Sequence, residues 1–198
     1  GLVQGNERKL RGVVDPTRVG LGMGSLIGHI VMINKNSESI SSGGWQPFTP
    51  FGFISNLMKE YGMEGYQGSN ANACSATLIL VGDAYRLIKD GYQDIIVAGG
   101  IDTNVANPSH ISFDRVGAVA TTYDDPGTAV RPFDSERSGT CPGDGGAMMV
   151  LETLESAKAR GANILCEVKG YDTATYGGDL FKPSETGIKK IITSTLFQ

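Results

Sequence analysis

Residues 75–100 constrain the fold of this chain more than any other part of its sequence. Residues 75–90 predict a helix whose residues 78–81 are apolar nearly all round, so we expect the helix to be buried. Gly91 is placed to end this helix, and "DIIVAGG", residues 94–100, predicts a buried strand. A short extended segment precedes the helix. Strand, buried helix and strand in succession predict a parallel crossover unit in a layered α/β fold.

Two segments before this unit also have clear patterns. "RVGLGMGSLIG", residues 18–28, predicts a strand that runs into a glycine-rich turn. This turn is not a phosphate-binding loop, because its glycines lack the GxGxxG spacing and no Gly-Lys-Ser/Thr follows. Residues 53–62 predict a short amphipathic helix that Gly62 ends.

The later part of the chain again alternates between strand and helix. Residues 146–152 predict a strand, residues 153–162 a helix and residues 164–172 another strand. A further helix begins near Ser184, a residue type that suits the N-cap position. The order strand, helix, strand extends the α/β pattern of the central unit.

Composition excludes several classes of function. The 198 residues are enough to bury a core, and the 28 glycines, about twice the usual share, favour an α/β enzyme with many short turns. The net charge of −4 gives no reason to expect nucleic acid as a partner. No apolar run approaches the ~20 residues that cross a bilayer. The three cysteines lack CxxC spacing, so we expect neither a disulfide framework nor a metal site. We therefore expect a reducing, intracellular compartment.

Cys74 lies within "SNANACSAT", where the extended segment meets the predicted helix. A thiol there meets the positive end of the helix dipole, which favours the nucleophilic thiolate. The free N–H groups of the first turn can also stabilise an oxyanion, and the small neighbours leave room for a substrate carbonyl. The alternative is an inert, buried cysteine that acts as a small apolar residue, which position and neighbours alone favour.

The other two cysteines have simpler interpretations. Cys166 alternates within the predicted strand 164–172, so we expect it in the core. Cys141 precedes Pro142 in a loop, and we expect no reactive role for it.

The wider pattern resembles the β-ketoacyl-acyl carrier protein synthases, the condensing enzymes of the thiolase fold. The order and spacing of the short motifs carry the resemblance. An Arg-Pro-Phe-Asp block separates these enzymes from degradative thiolases, which act on coenzyme A esters and share the fold. The resembling motifs are Ala73-Cys74-Ser75, Ala98-Gly99-Gly100, Arg131-Pro132-Phe133-Asp134 with Arg137 and Gly139, Gly143-Asp144-Gly145-Gly146, and Val150-Leu151-Glu152 followed by "AKARGA".

The resemblance implies an acyltransferase in which Cys74 is the catalytic nucleophile. Cys74 would accept an acyl group from the phosphopantetheine arm of an acyl carrier protein, with its own backbone N–H in the oxyanion hole. Malonyl-carrier protein would then lose carbon dioxide, and its carbanion would attack the thioester. The family implies a homodimer with a five-layered α-β-α-β-α core. It implies no cofactor beyond the phosphopantetheine on the carrier, and a location in bacterial cytoplasm, mitochondrion or plastid.

Residue types and loop composition also predict structural roles for residues around the site. Arg131, Asp134 and Arg137 are expected to shape their loop, with an ion pair between the last two. The glycines at 143, 145 and 146 are expected to allow close backbone packing, as Gly99 and Gly100 do.

The match covers only the middle half of a family member. Residues 1–198 are therefore predicted to form an incomplete thiolase-like domain, holding the end of its first half and the start of its second. The family's two catalytic histidines and its lysine belong to the later half, and His29 and His110 lie in no such motif. We expect both to be ordinary surface or loop residues. The alternative function is a catalytically incomplete scaffold or partner subunit of a condensing enzyme.

Overall fold

The computed structural model describes residues 3–4, 9–10, 14–26, 49–103, 107–179 and 183–197. Short 3-10 turns occur at Pro16–Arg18, Ala73–Ser75 and Pro126–Thr128. The strands in these residues are β1 (Val3–Gln4), β2 (Lys9–Leu10), β3 (Val19–Gly24), β4 (Gln67–Asn70), β5 (Ile95–Thr103) and β6 (Asp144–Glu152), and the helices are α1 (Pro50–Tyr61), α2 (Ala76–Lys89), α3 (Asn107–Arg115), α4 (Leu154–Ala159) and α5 (Glu185–Leu196).

Four of these strands form a mixed sheet in the order β4-β3-β5-β6. Strands β3, β4 and β5 are parallel, and β6 runs antiparallel on β5. The predicted crossover is confirmed, because α2 connects the parallel strands β4 and β5 across β3. The chain moves from β3 to β4 in one direction and from β4 to β5 in the other. Right-handed crossovers then require α1 and α2 to lie on opposite faces of the sheet.

The two core clusters follow this division of faces. Leu21 and Met23 of β3 pack against Ile54 of α1. On the other face, Ile96 of β5 packs with Ala84 of α2. Alternate residues of a strand point to opposite faces, so β5 contributes Val97 and Ile101 to the first cluster and Ile96 and Ala98 to the second. The described residues thus form one helix–sheet–helix sandwich of the predicted layered architecture.

Alternate glycines give β3 a flat face beneath α2. A Cβ added at Gly22 would lie 3.7 Å from Leu80, which is ordinary contact. A Cβ at Gly24 would come within 2.5 Å of the backbone nitrogen of Thr77. The glycine-rich segment is therefore a strand shaped for close helix packing.

The helix ends agree with the sequence analysis. Gly62 has a φ of +70° directly after α1, and Gly91 has a φ of +75° just beyond α2. Glycine adopts this left-handed conformation without the clash that a Cβ would cause. Ser184 accepts a hydrogen bond from the Gly187 N–H at 3.2 Å, as expected of an N-cap. The predicted helix 53–62 begins earlier, at Pro50, because Thr49 caps it.

The prediction that α2 is buried all round was wrong. Leu80 is 2% exposed, whereas Leu78 is 67% exposed. The helix lies on the sheet with one face, and Leu78 lies away from that face. A run of four apolar residues cannot show which of them the sheet covers.

The predicted strand 164–172 is not a strand. The structure has no helix or ladder over these residues, and Leu165 is 88% exposed. Cys166 is exposed as well, so its predicted core position was wrong. A strand needs a neighbour to complete its hydrogen bonds, and no strand in the described part of the chain lies beside this segment. Only its end is buried, where Tyr171 packs on α2 at Gly82.

The glycine predictions were right in three of five positions. Gly99 and Gly100 lie against neighbouring backbone or side chains so closely that a Cβ would clash. A Cβ on Gly146 would lie 3.1 Å from Ile101, which is also tight. Around Gly143 and Gly145 a Cβ would meet nothing within 4 Å, so neither glycine serves close packing among the described residues.

The predicted ion pair between Asp134 and Arg137 was wrong in its acceptor atom. Arg137 Nη1 donates to the main-chain carbonyl of Asp134 at 2.7 Å. The Asp134 carboxylate instead accepts from the Glu136 N–H at 2.7 Å. These bonds hold the loop in a turn, which agrees with the predicted structural role of these residues.

A buried ion pair joins the end of β6 to α4. Arg160 Nε donates to both oxygens of Glu152, at 3.0 and 2.9 Å, and Ser156 Oγ donates to Oε2 at 2.9 Å. Burial raises the pKa of Glu152, but these hydrogen bonds outweigh it and hold the pKa below its ordinary value. The side chains of Arg160 and Glu152 are 24% and 8% exposed.

Replacing Arg160 with methionine should lower the free energy of unfolding by about 2–3 kcal/mol, because it leaves the Glu152 carboxylate buried without its cation. The loss should be largest above pH 4.5, the ordinary glutamate pKa, where the unfolded state is ionised. It should fade as the pH falls through the lowered pKa of the folded state. Urea unfolding between pH 3 and pH 8 measures this.

The exposed pair Lys169–Glu167, 80% and 71% exposed, is the matched control. Lys169→Met should change the free energy of unfolding by less than about 0.5 kcal/mol. The double variant Glu152→Leu with Arg160→Met should recover much of the lost stability. Equal effects of Arg160→Met and Lys169→Met would contradict the assigned role of the buried pair.

In the residues that the structure describes, no helix is long and apolar enough to cross a membrane. The same residues contain no group of three or more His, Cys, Asp or Glu side chains that could hold a metal ion.

Candidate active site

Cys74 lies in the 3-10 turn Ala73–Ser75, which joins β4 to α2. The three parallel strands β3, β4 and β5 all end at this edge of the sheet. Ligands of open α/β sheets bind outside the carboxyl ends of the strands, at the point where the connections diverge to the two faces. Residues 71–75 are all exposed, so the thiol is open to solvent.

The turn before Cys74 has an unusual backbone. Ala73 has a φ of +50°, a left-handed conformation that costs a residue with a Cβ about 1–2 kcal/mol. Hydrogen bonds around Asn72 offset this cost. Its N–H donates to Asn70 Oδ1 at 2.7 Å, and its carbonyl accepts from the Ser75 N–H at 3.3 Å and Ser75 Oγ at 2.9 Å. Strain of this kind is typical of functional sites.

The N-terminus of α2 lacks a side-chain cap. Ser75 occupies the N-cap but makes no side-chain hydrogen bond to the helix. Within the described residues, the N–H of Cys74 also has no hydrogen-bond acceptor. The Cys74 N–H and the positive end of the helix dipole are available to the oxyanion of an acyl-transfer intermediate.

Small residues seat the first turn of α2 on the sheet. Thr77 lies over Gly24 of β3 and Gly100 of β5, and a Cβ at either glycine would overlap it. Cys74 immediately precedes this turn. The position of the thiol therefore depends on two glycines that are distant from it in sequence.

Polar contacts tie the three strand ends together. Asp102 Oδ1 accepts from Ser25 Oγ and from the Leu26 N–H, both at 2.8 Å, which joins the ends of β5 and β3. The Ser25 N–H donates to the main-chain carbonyl of Asn70 at 3.0 Å, which joins β3 to β4. The edge that carries Cys74 is thus held by hydrogen bonds from each strand.

The opposite edge of the sheet is held by charge. Arg18 donates to Asp94 from Nε at 3.1 Å and from Nη2 at 2.5 Å, and these hydrogen bonds lower the pKa of Asp94 below its ordinary value. Gln93 is buried there and bridges the N–H of Tyr66 and the carbonyl of Thr17. The edge where β3 and β5 begin is therefore held by structural contacts, and Cys74 lies at the edge where these strands end.

The family model described as "Beta-ketoacyl synthase, N-terminal domain" matches residues 8–157. The chain belongs to the β-ketoacyl synthase family. It is 34% identical over 177 residues to the putative polyketide β-ketoacyl synthase 1 of Streptomyces halstedii, covering 82% of this chain and 42% of that protein. It is 34% identical over 178 residues to 3-oxoacyl-[acyl-carrier-protein] synthase 2 of Vibrio cholerae serotype O1, covering 86% and 43%. The chain thus spans less than half the length of these curated relatives.

A solved structure of a ketosynthase agrees with the fold. The structure, a type II polyketide acyl-carrier protein in complex with its ketosynthase bound to the hexaketide, matches with a TM-score of 0.84 and 25% identity. The match covers 95% of this chain and 50% of that one. The predicted thiolase-like α/β architecture of β-ketoacyl synthases is confirmed for this part of the fold.

The predicted site residues that the structure describes are all exposed. Cys74 is exposed at the entrance to α2, which contradicts the alternative of a buried cysteine. Cys141 is also exposed, with Sγ 3.7 Å from the Pro142 carbonyl. His110 is exposed, as expected, although it lies on α3. His29 lies outside the described residues.

Two residues at this site were not predicted from the sequence. Asn70 has a recognisable signal, because asparagine often bonds the backbone N–H two residues later. Asp102 follows the predicted strand, and a polar residue at the carboxyl end of a parallel strand often lies at a ligand site. Its bonds to Ser25 and Leu26 are long-range in sequence, so only the structure reveals them.

Proposed function

We propose that this chain carries the nucleophile of a 3-oxoacyl-[acyl carrier protein] synthase, an acyltransferase of fatty-acid or polyketide synthesis. The Cys74 thiolate attacks the carbonyl of an acyl-pantetheine thioester, and the carrier thiol leaves as the cysteine thioester forms. Malonyl-carrier protein then loses carbon dioxide, and the released electron pair on its α-carbon attacks the Cys74 thioester. The Cys74 thiolate is expelled and the β-ketoacyl carrier departs.

The observation that carries this proposal is the exposed Cys74 thiol at the N-terminus of α2, which has no side-chain cap. Thiolate formation and oxyanion stabilisation both need positive potential and free donors at one place. Family membership supports the reaction class. One relative is named as a polyketide β-ketoacyl synthase and the other as a 3-oxoacyl-[acyl-carrier-protein] synthase, so we propose fatty-acid or polyketide synthesis without choosing between them.

The proposed partners follow from the same chemistry. An acyl carrier protein brings the acyl group on its phosphopantetheine arm, and no other cofactor or metal takes part. The complex of a related ketosynthase with its carrier protein supports this choice of partner. We also propose a homodimer, and an intracellular compartment in which an exposed nucleophilic thiol stays reduced.

Intact-mass spectrometry after incubation with acyl-carrier protein tests the function. We expect the protein to gain the mass of the acyl group, and Cys74→Ala to gain nothing. Cys141→Ala is the matched control, because it removes another exposed thiol and should keep the adduct. If the full-length protein gains no acyl group, the proposal is wrong and the scaffold or partner-subunit alternative is favoured.

A further inference from the structure

We infer that Asn70 is a positioning residue for Cys74, and that its side-chain oxygen holds the turn which directs the thiol toward the N-terminus of α2. This inference rests on the proposed function of Cys74. Asn70 itself has no contact with the reacting atoms. It acts on the backbone between β4 and the nucleophile.

Asn70 is well placed for this because its own backbone is anchored. It is the last residue of β4, it pairs with Gly24 of β3, and its carbonyl accepts from the Ser25 N–H at 3.0 Å. Its side chain is half-buried and reaches forward along the chain. Oδ1 accepts from the Asn72 N–H at 2.7 Å. The donor is an N–H group, so the amide oxygen must face it.

This bond restrains the peptide on one side of Asn72. On the other side, the Asn72 carbonyl accepts from both the N–H and Oγ of Ser75. Ala73 directly follows this doubly hydrogen-bonded residue and has a φ of +50°. A residue with a Cβ leaves this conformation unless its surroundings enforce it. Without the Asn70 bond, Ala73 can relax toward an extended conformation, which turns Cys74 away from the helix end.

A positioning role differs from a general structural role in what it leaves unchanged. The β3–β4 ladder uses only the backbone of Asn70, so removing the side chain keeps the sheet bonds. The effect should therefore appear at Cys74 and be absent from the other thiols. Cys141 and Cys166 are both exposed and serve as reference thiols within the same molecule.

The experiment is peptide-resolved alkylation by iodoacetamide from pH 5 to 9 on the full-length protein and its Asn70 variants. In the wild type, Cys74 should react faster than Cys141 and Cys166. Asn70→Ala should slow Cys74 about tenfold, on the scale of one lost hydrogen bond, while the reference thiols keep their rates. Asn70→Asp keeps the acceptor oxygen, so its plateau rate at high pH should match the wild type.

Asn70→Ser is a second variant in case the alanine variant misfolds. The serine hydroxyl forms the same turn more weakly, so Cys74 in this variant should be alkylated at an intermediate rate. Asn163→Ala, at an exposed position on another segment, is the matched control and should behave as the wild type. If Asn70→Ala and Asn70→Ser both alkylate Cys74 within twofold of the wild type, the positioning role is wrong. If wild-type Cys74 reacts no faster than the reference thiols, the proposed nucleophile is wrong, and the inference about Asn70 fails with it.

Discussion

Replacing Cys74 with alanine is expected to reduce formation of the β-ketoacyl product at least about 10³-fold, because no other group takes over a covalent nucleophile. The fold should be unaffected, since the thiol is exposed and contributes nothing to the core. Radiolabelled malonyl-carrier protein, followed into product under single-turnover conditions, measures the loss.

Cys74→Ser refines this prediction. A hydroxyl has nearly the same size but is a much weaker nucleophile at neutral pH, so the variant should acylate slowly and condense slowly. Cys141→Ala should condense at the wild-type rate. Full condensation by the Cys74→Ala protein would show that the thiol has another role and that the nucleophile lies elsewhere.

Gly24→Ala should strongly destabilise the packing of α2 on the sheet. A Cβ there would come within 2.5 Å of the Thr77 nitrogen and 2.7 Å of the Ala76 carbonyl carbon. Both atoms belong to the backbone of α2, so no side chain can rotate to make room. The first turn of the helix must lift, which we expect to cost about 3 kcal/mol or more and to displace Cys74. Urea unfolding and Cys74 alkylation measure the two effects.

Gly22 offers the matched control on the same strand and the same face. A Cβ at Gly22 would lie 3.7 Å from Leu80, an ordinary contact, so Gly22→Ala should change stability by less than about 1 kcal/mol. It should also leave Cys74 alkylation at the wild-type rate. A Gly24→Ala protein with wild-type stability and alkylation would contradict the view that β3 positions the start of α2.

The successful fold predictions rest on local signals. The glycines after α1 and α2 adopt the left-handed conformation that their positions predict, and Ser184 caps α5. The crossover around α2 was also recognisable, because a long apolar run between two short strands has few alternative arrangements. The helix caps depend on residues within a few positions of one another, and the crossover depends on consecutive segments of the chain.

The wrong predictions depend on neighbours that are remote in sequence. Residues 164–172 have the alternation of a strand, but no strand of the described chain pairs with them, so Cys166 stays exposed. Strand β6 was predicted and is present, yet its residues 144–150 are exposed. Periodicity reports which residues share a face and says nothing of what covers that face.

For the candidate site, the sequence by itself predicted Cys74 as the candidate nucleophile and its place before a helix. The motif around Cys74 and the resemblance to condensing enzymes were sufficient for that. Only the tertiary structure decided that the thiol is exposed, that Ala73 is held in a left-handed conformation, and that Asn70 and Asp102 belong to the same edge. Residue types and local backbone preferences can be recognised in the sequence, because they depend on neighbours along the chain. The hydrogen bonds between strand ends and the packing of α2 on Gly24 form only when distant segments come together.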